Sequence, residues 1–152
     1  MKISKRKFTK ILSFSALVLL FPVTTILAAT KKIINPNLSK EQKNIMFNEG
    51  TERPFTSELL KEKRKGFYHC ANCGNKLFAS TTKFDSGTGW PSFSEALPGA
   101  FKTKIDKSFG MERVEYHCAK CGAHHGHVFN DGPKESGKRF CNNGLCLIFK
   151  PE

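Results

Sequence analysis

Two short cysteine motifs constrain this 152-residue chain more than any other feature of its sequence. They are Cys70-Ala-Asn-Cys73-Gly74 and Cys118-Ala-Lys-Cys121-Gly122, which we call the knuckles. Two residues between the cysteines let both thiolates of one turn face the same ion, and the glycine permits the turn because it accepts positive φ values. Together the knuckles predict a tetrahedral Cys₄ site for one structural Zn²⁺ ion, with Cys70, Cys73, Cys118 and Cys121 as its ligands.

The knuckles are separated by 44 residues, more than a compact zinc ribbon contains. We therefore expect two separate hairpins that the metal clamps together. Two disulfides are the alternative, because the N-terminal segment described below predicts export and an exported protein meets an oxidising compartment. Paired knuckles with glycine favour the metal. Four thiolates leave no open coordination position, so the predicted zinc supports the fold and takes no part in catalysis.

The N-terminal segment predicts export. Five basic residues lie within the first ten positions, and nineteen uncharged residues, 11–29, follow them. A basic start, a short apolar centre and small residues at the end are typical of a secretory signal peptide, here residues 1–29. The cleavage site is imperfect, because Ile26 or Leu27 stands where a small residue is preferred. Uncleaved, residues 11–29 could just span a bilayer as an anchor. We expect a periplasmic or secreted protein, or one anchored in the inner membrane.

The remaining chain is predicted to be a linker, residues 30–38, and one small antiparallel β domain, residues 39–152. Ser39 and Gln42 stand in capping-box register and predict a short helix, and a second short helix is predicted over residues 57–65. Beyond residue 65, short segments rich in β-branched and aromatic residues alternate with Gly, Asn and Pro turns. These segments predict strands over 67–70, 76–79, 114–117, 127–129 and 145–149.

The formal net charge of +12 would suit a nucleic-acid or other anionic partner. Five of those charges belong to residues 1–29, however, and the rest of the chain carries +7. A zinc-stapled module that binds nucleic acid or protein therefore stays as an alternative function. Export argues against nucleic acid, and such a module leaves the residues described next without a role.

Two cysteines lie outside the knuckles. Lys138 and Arg139 precede Cys141 closely, and nearby cations lower a thiol pKa, so Cys141 is a candidate nucleophile. The competing interpretation of Cys141 is an ordinary buried cysteine. Cys146 stands between Leu145 and Leu147 and suits a small buried hydrophobe.

Three of the five histidines lie at positions 124, 125 and 127, directly after the second knuckle. Strict strand alternation would put His125 and His127 on one face, although a bulge at Gly126 could change which pair converges. Rigidly held histidines suit acid–base chemistry. His69 and His117 each precede a knuckle and are candidates for packing around the zinc or for alternative ligands.

The only tryptophan, Trp90, follows a loop in which Gly87 and Gly89 flank Thr88. A buried core position is one interpretation of Trp90, and the wall of an apolar pocket is the other.

These residues, taken together, resemble the peptide methionine (R)-sulfoxide reductases, the B-type family. The resemblance covers about residues 38–150 and rests on several motifs along the chain. They are Gly50-Thr-Glu-Arg-Pro-Phe55, the two knuckles, residues 83–93, Gly110-Met-Glu-Arg113, His124-His-Gly-His-Val-Phe129, Asp131-Gly-Pro133 and Arg139-Phe-Cys141.

The resemblance implies a mostly β fold of two small antiparallel sheets with short N-terminal helices, and a zinc site far from the catalytic cysteine. It assigns catalytic positions to Cys141 as nucleophile, to His124, His127 and Asn143 around the sulfoxide oxygen, and to Arg139 as the basic residue two before the nucleophile. Trp90 matches the aromatic wall that holds the substrate methyl group. His125 replaces the usual leucine and is not assigned a catalytic role.

The implied reaction is attack of the Cys141 thiolate on the sulfur of methionine (R)-sulfoxide in oxidised proteins or peptides. His124 or His127 then protonates the oxygen, and Cys141 becomes a sulfenic acid. Many relatives carry a resolving cysteine in the tryptophan loop, and here that position is Thr88. Cys146 stays a candidate resolving cysteine, but we expect a thioredoxin-like protein or a small thiol to reduce the sulfenic acid directly.

We expect the protein to act as a monomer. A thiol hydrolase that pairs Cys141 with a histidine remains a second enzymatic alternative, and it would need no external reductant.

Overall fold

A computed structural model describes residues 31–152. The predicted signal peptide or anchor, residues 1–29, therefore lies outside the described residues. Within 31–152, no helix combines the length and the apolar character needed to cross a membrane.

Nine strands form two antiparallel sheets in the described part of the chain, which confirms the predicted fold class. The three-stranded sheet has the order β2-β1-β9, and the six-stranded sheet has the order β3-β4-β8-β7-β6-β5. The strands are β1 (Gly66–Cys70), β2 (Lys76–Ala79), β3 (Lys83–Phe84), β4 (Ser92–Phe93), β5 (Phe101–Asp106), β6 (Arg113–Cys118), β7 (His124–Phe129), β8 (Arg139–Asn142) and β9 (Leu147–Pro151).

An aromatic cluster joins the two sheets. Phe78 of β2 stacks on Phe93 of β4 with ring centroids 4.0 Å apart, and Tyr68 of β1 meets Phe93 edge-on at 4.9 Å. Tyr116 of β6 adds a further edge contact to Phe78. All four side chains are completely buried. Burial of aromatic side chains of this size dominates the energetics of a small core, so this cluster fixes one sheet against the other.

The predicted first helix is confirmed as α1, Lys40–Asn48. The Ser39 hydroxyl accepts a hydrogen bond from the Gln42 N–H, and the Gln42 side chain accepts one from the Ser39 N–H. This reciprocal cap satisfies two of the helix's free donors. Ile45 and Met46 form the buried face.

The second predicted helix, over residues 57–65, is wrong. Only a 3₁₀ turn, Glu58–Leu60, forms there, capped by the Ser57 side chain. Residues 61–65 are all charged and offer no apolar stripe to bury, and a short helix without a buried face is unstable in water.

The described part of the predicted linker packs against the knuckles. The Asn72 side chain accepts hydrogen bonds from the backbone N–H groups of Ile34 and Asn35 and donates one to the Lys32 carbonyl. The Lys32 N–H in turn donates to the Cys121 carbonyl. Residues 31–35 thus contact both knuckles.

Candidate active site and metal centre

The four knuckle cysteines converge on one point. Their sulfur atoms all lie within 4.8 Å of one another, with Cys70 and Cys121 at 3.8 Å and Cys73 and Cys118 at 3.6 Å. In each knuckle the glycine N–H donates to the carbonyl of the first cysteine at 2.8 Å, and both glycines have φ near +70°. The knuckle turns therefore have the conformation that the sequence predicts.

The sulfur positions fit a metal ion better than disulfides. Four thiolates about 2.3 Å from a tetrahedral zinc ion stand about 3.8 Å apart, whereas a disulfide joins its sulfurs at about 2.05 Å. The cross-knuckle separations of 3.6 and 3.8 Å match the first arrangement, and all four cysteines are free. These four side chains can hold a metal ion, and neither His69 nor His117 belongs to the cluster.

A second centre forms where β7 and β8 pair. Cys141 on β8 lies directly opposite His127 on β7, and its other neighbour in the sheet is Ser92 on β4. Directly opposed residues of antiparallel strands project their side chains to the same face. Cys141 and His127 accordingly line one cavity of about 180 Å³, which Trp90 and Asn143 also line. We call this cavity the thiol pocket, and no knuckle cysteine borders it.

A bulge in β7 brings the two histidines of the family motif together. Tyr116 of β6 pairs with Gly126, whereas the next residue, His117, pairs with His124, so His125 is an extra residue in β7. The bulge breaks strict alternation, and the rings of His124 and His127 meet with centroids 5.7 Å apart. The bulge thus replaces the His125–His127 pair of strict alternation with the pair His124–His127.

Each of these histidines has a carboxylate partner. His124 Nδ1 lies 2.8 Å from an oxygen of Glu115, and both side chains are almost completely buried. His127 Nε2 lies 2.9 Å from Asp106 Oδ2, which also accepts a hydrogen bond from Arg113 at 2.7 Å. Burial lowers the pKa of His127, and Asp106 opposes that shift. Only His127 of the pair lines the thiol pocket.

The expected effect of nearby cations on Cys141 is outweighed by burial. Desolvation raises the pKa of the Cys141 thiol above its ordinary value, while the Arg139 charge and hydrogen bonds from Thr88 and Arg139 act in the opposite direction. The neighbour Lys138 is directed elsewhere, because its ammonium group donates to the Asn130 side chain at 2.6 Å. The prediction of a lowered thiol pKa is therefore wrong in sign, although the contribution of Arg139 is in the predicted direction.

Arg139 is held from two sides. Its guanidinium donates two hydrogen bonds to the Asp131 carboxylate, each at 2.8 Å, and lies over the Phe129 ring at 4.4 Å. A bidentate pair of this kind fixes the planar guanidinium. Arg139 does not line the thiol pocket and instead acts on Cys141 from beside it.

Glu52 connects the segment after Cys141 with Trp90, which forms one wall of the thiol pocket and is called the tryptophan wall. Its carboxylate accepts the N–H groups of Gly144 and Leu145, its own N–H donates to the Asn143 side chain at 3.0 Å, and its carbonyl accepts the Trp90 indole N–H at 3.1 Å. The side chain is 3% exposed, and burial raises the pKa of Glu52. Glu52 thereby fixes two walls of the thiol pocket.

Asn143 is engaged by the scaffold. Its side-chain amide donates to the His125 carbonyl at 3.0 Å while its oxygen accepts the Glu52 N–H. Asn143 still lines the thiol pocket, but both ends of its amide already have partners within the described chain.

Thr88 and Cys146 differ in their access to Cys141. The Thr88 side chain lowers the pKa of the Cys141 thiol. Its hydroxyl is hydrogen-bonded to that of Ser86, which is hydrogen-bonded in turn to that of Ser92, at 2.8 Å each. Cys146 is completely buried in the hydrophobic core, and burial raises the pKa of its thiol far above the ordinary value. The loop position next to the thiol is therefore occupied by a hydroxyl.

Three carboxylates of the site were missed by sequence reasoning as functional residues. Glu52 lies within the motif Gly50–Phe55, but its burial could not be deduced from sequence. Asp106 pairs with His127, about twenty residues further along the chain, and Glu115 pairs with His124, nine residues further along. Two acidic residues on strands beside a histidine-rich segment were the available signal.

The fold and the thiol pocket define an enzyme with a cysteine and a histidine opposed across two strands, and with a separate cysteine cluster able to hold a metal ion. Residues 38–151 match the SelR domain, and the chain belongs to that family.

Three curated relatives illustrate the similarity. The chain is 49% identical over 123 residues to "Peptide methionine sulfoxide reductase MsrB" of Methanosarcina barkeri (strain Fusaro / DSM 804), which covers 80% of this chain and 84% of the relative. It is 58% identical over 101 residues to the protein of the same name from Variovorax paradoxus (strain S110), covering 66% and 74%. It is 50% identical over 115 residues to that of Agrobacterium fabrum (strain C58 / ATCC 33970), covering 75% and 85%.

Proposed function

We propose that this protein reduces methionine (R)-sulfoxide in oxidised proteins or peptides to methionine. The observation that carries the proposal is the thiol pocket, in which Cys141 and His127 oppose each other across β7 and β8 beside the Trp90 ring. The names of the relatives, which are about 50% identical over most of the chain, support the same reaction. A cavity of about 180 Å³ suits the end of one side chain rather than a larger ligand.

The first step is attack of the Cys141 sulfur on the sulfoxide sulfur. Arg139 and Thr88 favour the thiolate, which offsets part of the effect of burial on the Cys141 pKa. Trp90 provides an apolar face for the methyl group. The oxygen gains negative charge during attack and must be protonated.

His127 is the better placed proton donor of the two histidines. It borders the thiol pocket, whereas His124 lies behind it and is 1% exposed. Asp106 holds one ring nitrogen of His127, so the other is left for the substrate oxygen. His124, paired with Glu115 and in contact with the His127 ring, positions His127.

Oxygen transfer leaves methionine and a Cys141 sulfenic acid. Two thiol groups of an external reductant then return the cysteine to its reduced form, releasing water and a disulfide. We propose a thioredoxin-like protein or a small thiol as that reductant. The burial of Cys146 and the hydroxyl at position 88 support reduction from outside the chain.

The cysteine cluster supports a structural role for Zn²⁺. Cys70, Cys73, Cys118 and Cys121 would hold the ion, and the ion would tie the β1–β2 turn to the β6–β7 turn. All four ligand positions are filled by thiolates, so the ion supplies no open position for substrate.

Export, a monomeric state and either cleavage or retention of residues 1–29 are part of the proposal. Export and the fate of residues 1–29 rest on the basic start and uncharged stretch of that segment. Fractionation of cells that express the full chain, followed by N-terminal sequencing, tests export and cleavage together. Recovery of the full-length chain in the cytosol contradicts export.

The decisive assay is single-turnover reduction of separate R and S diastereomers of N-acetylmethionine sulfoxide, without added reductant. We expect wild-type protein to convert about one equivalent of the R form and none of the S form. Cys141→Ser should lose at least about a thousandfold in rate. Failure of wild type to reduce the R form overturns the proposal, and turnover of acyl substrates without reductant would favour a thiol hydrolase.

A further inference from the structure

A second depression lies on the outer side of the tryptophan wall. It has a volume of about 550 Å³, and Trp90 borders both this depression and the thiol pocket. Phe55 and three lysines, Lys61, Lys63 and Lys83, also line it, so we call it the lysine groove. A chain that inserts one side chain into the thiol pocket can therefore continue along the groove past Trp90.

The groove has a positive charge. Its lining contains three lysines and a single carboxylate, Asp85, which gives a net charge of +2. Lys61 and Lys63 are exposed, and neither forms an ion pair within residues 31–152. Lys83 is half-buried and donates to the Leu60 carbonyl at 3.1 Å. Free ammonium groups on a groove wall attract carboxylates of a bound partner.

Phe55 gives the groove an apolar edge at a cost in backbone strain. Its side chain is 71% exposed, and its φ of 64° lies in the left-handed region that bulky residues avoid. The Phe55 N–H donates to the Gly89 carbonyl at 2.7 Å, and a side chain at Gly89 would collide with the Phe55 ring. The tryptophan loop thus holds an exposed aromatic ring in a strained conformation, which is typical of a binding site.

We propose that the lysine groove binds the polypeptide that carries the methionine sulfoxide, and that it selects substrates with acidic residues beside the oxidised methionine. The inference rests on the proposed function, because it gives the substrate chain a path out of the thiol pocket. The shared Trp90 wall supplies the continuity, and the lysines supply the charge complementarity.

The test compares three substrates in single-turnover reduction without external reductant. They are N-acetylmethionine (R)-sulfoxide amide, a five-residue peptide with methionine (R)-sulfoxide between two Asp on each side, and the same peptide with Asn in place of Asp. We expect the second-order rate constant of wild-type single turnover to be about tenfold higher for the Asp peptide than for the Asn peptide at low salt, with the advantage shrinking as salt screens exposed charges.

The variant Lys61→Glu/Lys63→Glu should abolish that advantage and leave reduction of the blocked amino acid unchanged. The matched control, Lys40→Glu/Lys102→Glu, makes the same change in net charge at exposed positions outside the groove, on α1 and on β5 at the opposite edge of the sheet from β3. It should retain the preference for the Asp peptide. Unchanged reduction of the blocked amino acid also shows that the groove variant is folded.

Several results overturn the inference without touching the proposed function. One is that wild type reduces the Asp and Asn peptides at equal rates. Another is that the groove and control variants show the same preference for the Asp peptide. A groove variant whose single-turnover rates are normal, but whose steady-state turnover needs more thioredoxin-type reductant, would assign the groove to the reductant instead. If wild type reduces none of the three substrates, the proposed function itself fails.

Discussion

Nε2 of His127 lies 2.9 Å from Oδ2 of Asp106, the last residue of an edge strand, and Arg113 donates to the same oxygen at 2.7 Å. Burial and this carboxylate act in opposite directions on the pKa of His127. The acidity of the proposed proton donor is therefore influenced by a residue three strands away from the nucleophile in the sheet.

Asp106→Asn should lower the rate of reduction at neutral pH by about tenfold. Loss of the carboxylate removes the main effect that raises the His127 pKa, so a smaller fraction of His127 is protonated at pH 7. The alkaline limb of the kcat/KM profile should then move to lower pH. Glu112→Gln, a change at a side chain that is 68% exposed, is the control and should keep the wild-type profile. An identical profile for Asp106→Asn would remove His127 from the role of acid.

Thr88→Cys should convert the site into one with an internal resolving cysteine. The Thr88 side chain is close enough to lower the pKa of the Cys141 thiol, so a thiol at position 88 can attack the sulfenic acid. After one equivalent of substrate, mass spectrometry should find a disulfide between positions 88 and 141. Wild type should give a sulfenic acid that dimedone traps. Cys146→Ala should leave this trapping unchanged, and a wild-type disulfide between Cys141 and Cys146 would falsify reduction from outside the chain.

His125→Leu should stabilise the protein in acid. His125 is completely buried, its ring nitrogens have no hydrogen-bond partner in the described chain, and burial lowers its pKa to about 4. The unfolded state binds a proton below about pH 6.5, whereas the folded state does not until about pH 4. Stability is therefore lost as pH falls through that window, by about 3 kcal/mol for this residue.

The difference in unfolding free energy between His125→Leu and wild type should grow by that amount between pH 6.5 and 4. Urea denaturation at a series of pH values measures it, and thiolate protonation in the cysteine cluster affects both proteins and cancels. Lys102→Gln is the control and should show no such growth. A constant difference across the window would mean that His125 does not titrate as a buried group.

Glu52→Gln should destabilise the protein by about 1–3 kcal/mol, because a side-chain NH₂ would then face a backbone N–H that needs an acceptor. The backbone bonds of Glu52 to Trp90 and Asn143 should weaken as the segment shifts, and KM should rise. Denaturant unfolding and steady-state kinetics measure the two effects. Glu41→Gln, an exposed change, should alter neither.

The protein should contain one zinc ion per chain, and its removal should lower Tm by at least about 20 °C, because structural zinc contributes roughly 10 kcal/mol or more to folding. Elemental analysis and thermal unfolding with and without a chelator give both numbers. Cys118→Ser should lose the ion, whereas Cys141→Ser should keep it. A metal-free protein that unfolds at the wild-type temperature would contradict a structural site.

The parts of the fold that depend on neighbours in sequence could be predicted. The capping box of Ser39 and Gln42, the knuckle turns and most strands of the sheets follow from local patterns. Four strands, β3, β4, β5 and β8, were not predicted, and β3 and β4 contain only two residues each. β5 alternates Lys and Thr with few apolar residues because it is an edge strand, and β8 is only four residues long and polar at both ends.

The parts of the site that depend on distant neighbours could not be predicted. The sequence shows Lys138 and Arg139 beside Cys141, but not that the first is directed to Asn130 or that burial outweighs the second. Nor does it show which carboxylates hold the histidines, since those pairings follow from strand register. The family resemblance supplied the pairing of His124 with His127 that alternation alone left open.

His125, the extra residue of β7, matters to the site through its backbone more than through its side chain. The carbonyl of His125 accepts both the N–H and the side-chain amide of Asn143, so the segment after the nucleophile is bonded to the very residue that breaks the alternation. Deleting one residue here would turn a histidine away from the pocket and remove the acceptor for that segment at the same time. Position 125 is thus a spacer, because its backbone sets which histidines share a face and holds the segment after the nucleophile.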